Sequence, residues 1–140
     1  MAGIPGLLIE KEGFNMMKTI STPNAPAAIG PYSQAKVANG MVFASGQIPI
    51  IPATGEIADG DITVQAEQVM KNVGEILKAA DCSYEDVVKT TCFLAEMADF
   101  GAFNAVYEKY FPGKPARSCV AVKTLPKNVL CEVEVIAVQK

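Results

Sequence analysis

Ala66, Val69, Met70, Val73, Ile76, Leu77 and Ala80 recur at steps of three and four residues, the spacing that gathers side chains on one face of an α-helix. The run predicts an amphipathic helix with Asp61 as its N-cap. Upstream the rhythm is different. Residues 33–38 and 41–47 read as strands flanking Asn39-Gly40, a dipeptide that tolerates the positive φ values of a type I′ turn, and so predict a β-hairpin. A further short strand fits residues 18–20. Between them, Thr22-Pro23-Asn24-Ala25-Pro26 and Gly30-Pro31 predict an ordered loop, because proline fixes φ and removes backbone donors.

Downstream, Ser83-Tyr84-Glu85-Asp86 resembles a capping box opening a single turn. Residues 88–95 then read as a central strand with Val88, Thr90, Cys92 and Leu94 on one face. Asp99 is placed to cap a second helix, whose Phe100, Phe103, Val106, Tyr107 and Tyr110 form an aromatic stripe expected in the core, and Pro112-Gly113 closes it. Residues 117–123 and 130–138 predict the last two strands, joined by Leu125-Pro126-Lys127-Asn128.

This order of elements implies an α/β (α+β) domain with one mixed β-sheet and two helices packed on one face. The final strand is apolar on both sides, with Cys131, Val133, Val135 and Ala137 alternating with Leu130, Ile136 and Val138. A homo-oligomer that buries the second face satisfies that pattern.

At 140 residues the chain fits one domain, expected over residues 17–140, with residues 1–16 as a flexible N-terminal extension lacking periodicity or a cap. Half of the residues are hydrophobic and 19% are charged, which again favours burial by a partner. A net charge of -3 provides no broad positive field for phosphate backbones, so nucleic acid is disfavoured as a partner. No stretch approaches the roughly 18 to 20 apolar residues of a membrane-spanning helix, and a cytoplasmic location is expected.

The chemistry is narrowed most by what is missing. The chain contains no histidine, and its four cysteines include no Cys-x-x-Cys pair, so a zinc site is not expected and Ser-His-Asp or Cys-His nucleophile systems are excluded. Any general acid or base must be Glu, Asp, Lys, Tyr or Cys. Arg117, in Pro115-Ala116-Arg117-Ser118-Cys119, is the best candidate for binding chemistry. Its planar fork of donors matches a carboxylate in two parallel hydrogen bonds. Strand alternation puts Arg117, Cys119 and Ala121 on one face and Ser118 and Val120 on the other. Bland alternatives stand beside each candidate: a structural salt bridge for Arg117, a small buried hydrophobe for Cys119, and for Glu132 a solvent or ion-pair position rather than a carboxylate aimed at the same cleft.

Five segments change the balance. Ala25-Pro26-Ala27-Ala28-Ile29-Gly30-Pro31-Tyr32-Ser33-Gln34, Ser45-Gly46-Gln47-Ile48-Pro49, Asn104-Ala105-Val106-Tyr107, Pro115-Ala116-Arg117-Ser118-Cys119-Val120 and Leu125-Pro126-Lys127 resemble, in order and spacing, the signatures of the RidA (YjgF) family. The resemblance runs from about Met17 to Lys140. It implies a homotrimer of chorismate-mutase-like subunits with sites in the clefts between neighbours. It also implies cofactor-free hydrolysis of reactive 2-enamine and 2-imino acids, such as 2-aminoacrylate, to 2-oxo acids and ammonia.

Residue by residue, the resemblance makes Arg117 the carboxylate binder and Glu132 the group that orients water or transfers protons. Cys119 would contact the substrate nitrogen through its main chain, Tyr32 would close the pocket, Ser45 and Gly46 would line it, and Asn104 would help shape it. Ser45 and Asn104 also fit a bland reading, as backbone-bonding residues of a strand end and a helix. Ala121 departs from the acidic residue common in the family, which bears on substrate range. Two other readings compete: a binding or regulatory module for 2-oxo acids and similar carboxylates, and RNA cleavage or translation inhibition. The acidic balance and the missing histidine weigh against the second.

Overall fold

The computed structural model describes residues 17–140, and the extension expected over residues 1–16 lies outside it. Asn39 and Gly40 take φ values of 52° and 76° and reverse the chain between β2 (Ala35–Ala38) and β3 (Met41–Ala44). Only a residue tolerant of positive φ serves there, and glycine does so without steric cost. The hairpin is shorter than the sequence pattern predicts. Past Ala44 the chain leaves β2 and rejoins the sheet at Gln47, which exchanges two backbone hydrogen bonds with Val133, at 2.8 and 3.1 Å.

Helix α1 (Ile62–Ala79) begins as expected, with Asp61 Oδ1 accepting the Val64 N–H at 3.1 Å. Its predicted stripe, from Ala66 through Leu77, is buried, and Ala80 just beyond it is buried too. Each large apolar side chain so buried contributes about 1.5 to 3 kcal/mol. Two amides on the same helix are buried as well. Asn72 Nδ2 donates to the carbonyls of Ile48 and Ile50 at 3.1 and 2.9 Å, while Gln65 donates to Ala58 and accepts the Leu130 N–H at 2.8 Å. These bonds satisfy groups that are costly to bury unpaired, and they fasten the loop after β3 onto the helix.

Strands β1 (Lys18–Ile20), β4 (Val87–Leu94), β5 (Ala116–Ala121) and β6 (Cys131–Val138) complete a six-stranded sheet of order β1-β2-β3-β6-β4-β5. All neighbours are antiparallel except β4 and β5, which are parallel and connected through helix α2 (Phe100–Tyr110). The expected mixed sheet with two helices is therefore the architecture adopted. Cys92, Leu94, Cys131, Val133, Val135 and Ala137 are buried in one core with residues of both helices. The opposite face carries Phe43 and Val120, each 47% exposed, beside the partly exposed Phe93 and Ile136.

Two local expectations fail for identifiable reasons. Val88 does not share a face with Thr90, Cys92 and Leu94. The β4–β6 register shifts between Val87 and Lys89, so Val88 is the surplus residue of a bulge and is exposed, while Val87 takes the buried place. Asp99 makes no side-chain cap. A 3₁₀ turn over Met97–Asp99 leads into α2 and leaves Asp99 with helical backbone angles, φ -85° and ψ 0°, rather than the extended ones that aim an N-cap side chain. At Ser83 the expected box is present in its carboxylate half, with Asp86 Oδ2 accepting the Ser83 N–H at 2.8 Å.

Candidate active site

Arg117 lies on β5 in register with Thr90 of β4, on the face covered by the helices. Phe100, Asn104 and Tyr107 follow one another at four and three residues along α2, so all three present to the same side. Asn104 Oδ1 accepts a hydrogen bond from Arg117 Nη1 at 2.7 Å. The Tyr107 and Phe100 rings lie 4.7 and 5.5 Å from the guanidinium carbon, close enough for cation–π attraction of about 0.5 to 2 kcal/mol each. Tyr107 is itself tied to Thr90 through their hydroxyls, 2.8 Å apart.

Among the described residues the ion pairs are Lys109–Glu67 and Lys140–Asp86, and neither involves Arg117. Among the described residues the guanidinium thus rests on neutral partners, and the structural salt bridge is not found there. It opens on a shallow cleft of about 330 Å³, lined also by Asn104, Tyr107, Glu108 and Lys114. Phe100 and Tyr107 were expected only as core. A polar Asn104 inside an aromatic stripe was the signal that this helix face holds something other than a hydrocarbon.

Glu132 belongs to a different environment. A cleft of about 470 Å³ is lined by Tyr32, Ser45, Gly46, Ile48, Lys127 and Glu132, among others. The proline-rich loop above it is held by buried Gln34, which donates to the carbonyls of Thr22 and Pro26 at 3.1 and 2.8 Å and accepts the Thr22 N–H. Ser45 Oγ donates to the Ser33 carbonyl at 2.6 Å, the backbone-bonding role, while still lining the cleft. Tyr32 stands at the mouth, 52% exposed.

Gly46 is required by the carboxylate itself. A Cβ at this position would lie 2.0 Å from Glu132 Oε2, well inside van der Waals contact. Burial raises the carboxyl pKa of Glu132 above the ordinary value, and the nearby charge of Glu134 adds to the shift.

Within one subunit Arg117 and Glu132 do not share a cleft. Glu132 is in register with Phe93 and Arg117 with Thr90, and those β4 positions alternate to opposite faces of the sheet. The candidates therefore fall into two groups: Arg117 and Asn104 under helix α2, and Tyr32, Ser45, Gly46 and Glu132 in the second cleft. Cys119 lies two residues beyond Arg117 on the same face, half-buried, in register with Cys92. Burial pushes its thiol pKa up, against a smaller lowering by the charge of Arg117, so no thiolate is favoured there. Cys92 and Cys131 are buried and pushed up to about 12. Among the described residues no group of three or more His, Cys, Asp or Glu could hold a metal ion, and no helix is long and apolar enough to cross a membrane.

Comparison with known proteins follows the same lines. The profile of the family described as Endoribonuclease L-PSP matches residues 22–139. A Lactococcus lactis protein named as a candidate regulator, AldR, is 57% identical over 86% of this chain and 97% of its own. The 2-iminobutanoate/2-iminopropanoate deaminase of Salmonella typhimurium is 50% identical over 89% of this chain and 100% of its own. The crystal structure of Escherichia coli TdcF with bound serine superposes with a TM-score of 0.84 at 46% identity, covering 88% of this chain and 99% of that one. The five sequence signatures, the sheet that displays them and a match spanning nearly the whole described chain agree: this protein belongs to the Endoribonuclease L-PSP family, the RidA (YjgF) family.

Proposed function

We propose that this protein is a hydrolytic deaminase of reactive 2-enamine and 2-imino acids, releasing 2-oxo acids and ammonia, and that its active sites form between subunits of a homotrimer. The observation that carries the reading is the guanidinium of Arg117, seated on an amide oxygen and two rings with no carboxylate of the described residues paired to it. Such a charge is built to receive an anion from outside the chain. The deaminase names of relatives about half identical to this chain supply the reaction class.

The two separated clefts support the trimer. Glu132 faces the sheet side that carries the exposed Phe43 and Val120, and Arg117 lies on the outer strand β5 and faces the other side. Burying the apolar side against neighbours would bring the Arg117 cleft of one subunit to the Glu132 cleft of the next. A cyclic assembly makes three equivalent sites from such a pairing.

In that site Arg117 binds the substrate carboxylate in a bidentate pair. A water held by Glu132 adds to the carbon of the protonated C=N group as its proton passes to the carboxylate, giving a neutral carbinolamine. Glu132 returns that proton to nitrogen. The C–N bond then breaks and ammonia leaves as the hydroxyl proton passes to Glu132 and the C=O bond forms, and Glu132 gives this last proton to the departing ammonia or to solvent. A carboxyl whose pKa is raised toward neutrality suits this exchange, and a positioned acid–base group contributes about 10² to 10⁴ in rate. Backbone groups near Cys119 bind the nitrogen, and the Cys119 thiol takes no part. Tyr32 closes the site over Ser45 and Gly46.

The test generates imines in situ with an amino-acid oxidase and follows 2-oxo acid and ammonia release, with molar mass measured alongside. Inactive Arg117→Ala and Glu132→Gln subunits are then mixed under conditions that allow exchange. If sites are shared between neighbours, every mixed trimer regains about one intact site in three, and an equal mixture recovers about a quarter of wild-type activity. No recovery after demonstrated exchange would refute the shared site.

A second reading is a sensor of 2-oxo acids that binds in the same cleft without turnover, favoured by the 57% identical relative named as a candidate regulator. Pyruvate raising the melting temperature while imine hydrolysis stays at background would select it.

A further inference from the structure

We infer that Thr90 and Tyr107 are positioning residues for Arg117, fixing the plane of the guanidinium that receives the carboxylate; the inference rests on the reading of Arg117 as a carboxylate receptor. Thr90 is fully buried on β4, between β6 and the edge strand β5, where the neighbouring core positions are Cys92, Val133 and Val135. A hydroxyl there costs stability unless it is bonded, and valine would fill the same space without that demand. What the hydroxyl does is hold the Tyr107 phenol at 2.8 Å.

The consequence reaches Arg117 directly. Thr90 and Arg117 are register partners on adjacent strands, so the backbone sets them at the same height, and the Tyr107 ring bridges the two. One face of that ring lies 4.7 Å from the guanidinium carbon. A long, flexible arginine side chain loses rotamer freedom on being held. Asn104 fixes one of its terminal nitrogens but leaves the plane free to swing about that bond. The ring restricts the swing, and Thr90 restricts the ring, whose neighbours Phe103 and Phe111 provide only apolar contact at centroid distances of 6.0 and 4.7 Å.

Substitutions at position 90 separate positioning from packing. Thr90→Val keeps the volume and loses the bond, while Thr90→Ser keeps the bond and loses a methyl group. Three quantities are measured: KM and kcat for 2-iminopropanoate generated from L-alanine, the dissociation constant of pyruvate, and the ¹⁵Nε–H resonance of Arg117. Positioning predicts near-wild-type values for Thr90→Ser, and KM and dissociation constant raised about threefold in both Thr90→Val and Tyr107→Phe. Tyr107→Leu, which removes the ring, raises both about tenfold with kcat changed less than about threefold.

A packing role predicts the reverse order at position 90, and that order, or an unchanged KM in folded Tyr107→Leu, overturns the inference. Should the wild-type protein neither hydrolyse the imine nor bind pyruvate, the proposed function fails on its own. The Arg117 resonance then still decides the positioning role. Ring current displaces it in the wild type and Thr90→Ser, and it moves back toward the free-arginine value in Tyr107→Leu; a resonance that Tyr107→Leu leaves in place removes the role.

Discussion

The two halves of the candidate site solve opposite electrostatic problems. Around Arg117 a permanent charge is kept in place by partners that carry none: an amide oxygen, two rings and the threonine behind one of them. Around Glu132 a group able to lose its charge is half-buried in a mostly apolar cleft that Lys127 also lines, and burial and the like charge of Glu134 make its ionisation harder. In the proposed site one end would hold an anion and the other would exchange a proton. Neither needs histidine, which this chain lacks.

The contrast is broken most severely at Arg117. Arg117→Ala should lower kcat/KM more than about 10²-fold while the melting temperature moves by only a few degrees, because the residue is partly exposed and pairs with no charge among the described residues. A folded variant with near-normal turnover would remove the residue from the site.

Glu132→Gln should lower kcat by about 10²-fold or more with KM little changed, and should abolish the limb of the pH profile on which activity falls toward acid. Its effect on stability has the opposite sign. A carboxyl whose folded pKa lies above its unfolded value binds protons more tightly when folded, so its contribution is lost as pH rises through the raised value. The variant should therefore melt above the wild type at neutral pH and converge with it near about pH 4, below the unfolded pKa. Equal melting temperatures across that range would show that the carboxyl is not held against its preference.

A subtler fracture is Gly46→Ala. Its methyl group needs the space of Glu132 Oε2, so the carboxylate must turn away, and kcat should fall about tenfold with pyruvate binding retained. Unchanged kcat would mean that the carboxylate has a second productive position. The smallest effect is expected at Cys119→Ser, within about twofold of wild type, since burial disfavours the thiolate. A large loss there would transfer chemistry to the sulfur.

The parts of the fold that rest on local rules were legible. Asn39-Gly40 marks its turn because few residues accept positive φ, and the stripe from Ala66 to Ala80 marks α1 because a helix repeats every 3.6 residues. Alternation likewise placed Arg117 and Cys119 on one face. What alternation lacks is knowledge of the neighbouring strand. It missed the bulge at Val88, which exists only relative to β6, and it could not show that Arg117 and Glu132 occupy opposite faces. Tyr107 was read as core because an aromatic ring serves a hydrophobic interior and a cation equally well, and only the approach of Arg117 distinguishes the two uses. The motif resemblance named candidate site residues one by one but carried no distances between them.

Among the described residues no counter-ion pairs with Arg117, and under the proposed function this ties the endurance of the fold to its surroundings. A small acid seated in that cradle, as the proposed function requires, would bind the folded chain and have no equivalent place on the unfolded one, so the equilibrium would shift toward the folded form as the acid accumulates. A cell rich in keto acids would thus find this protein harder to melt than a starved one, and its heat tolerance would report the metabolic state around it.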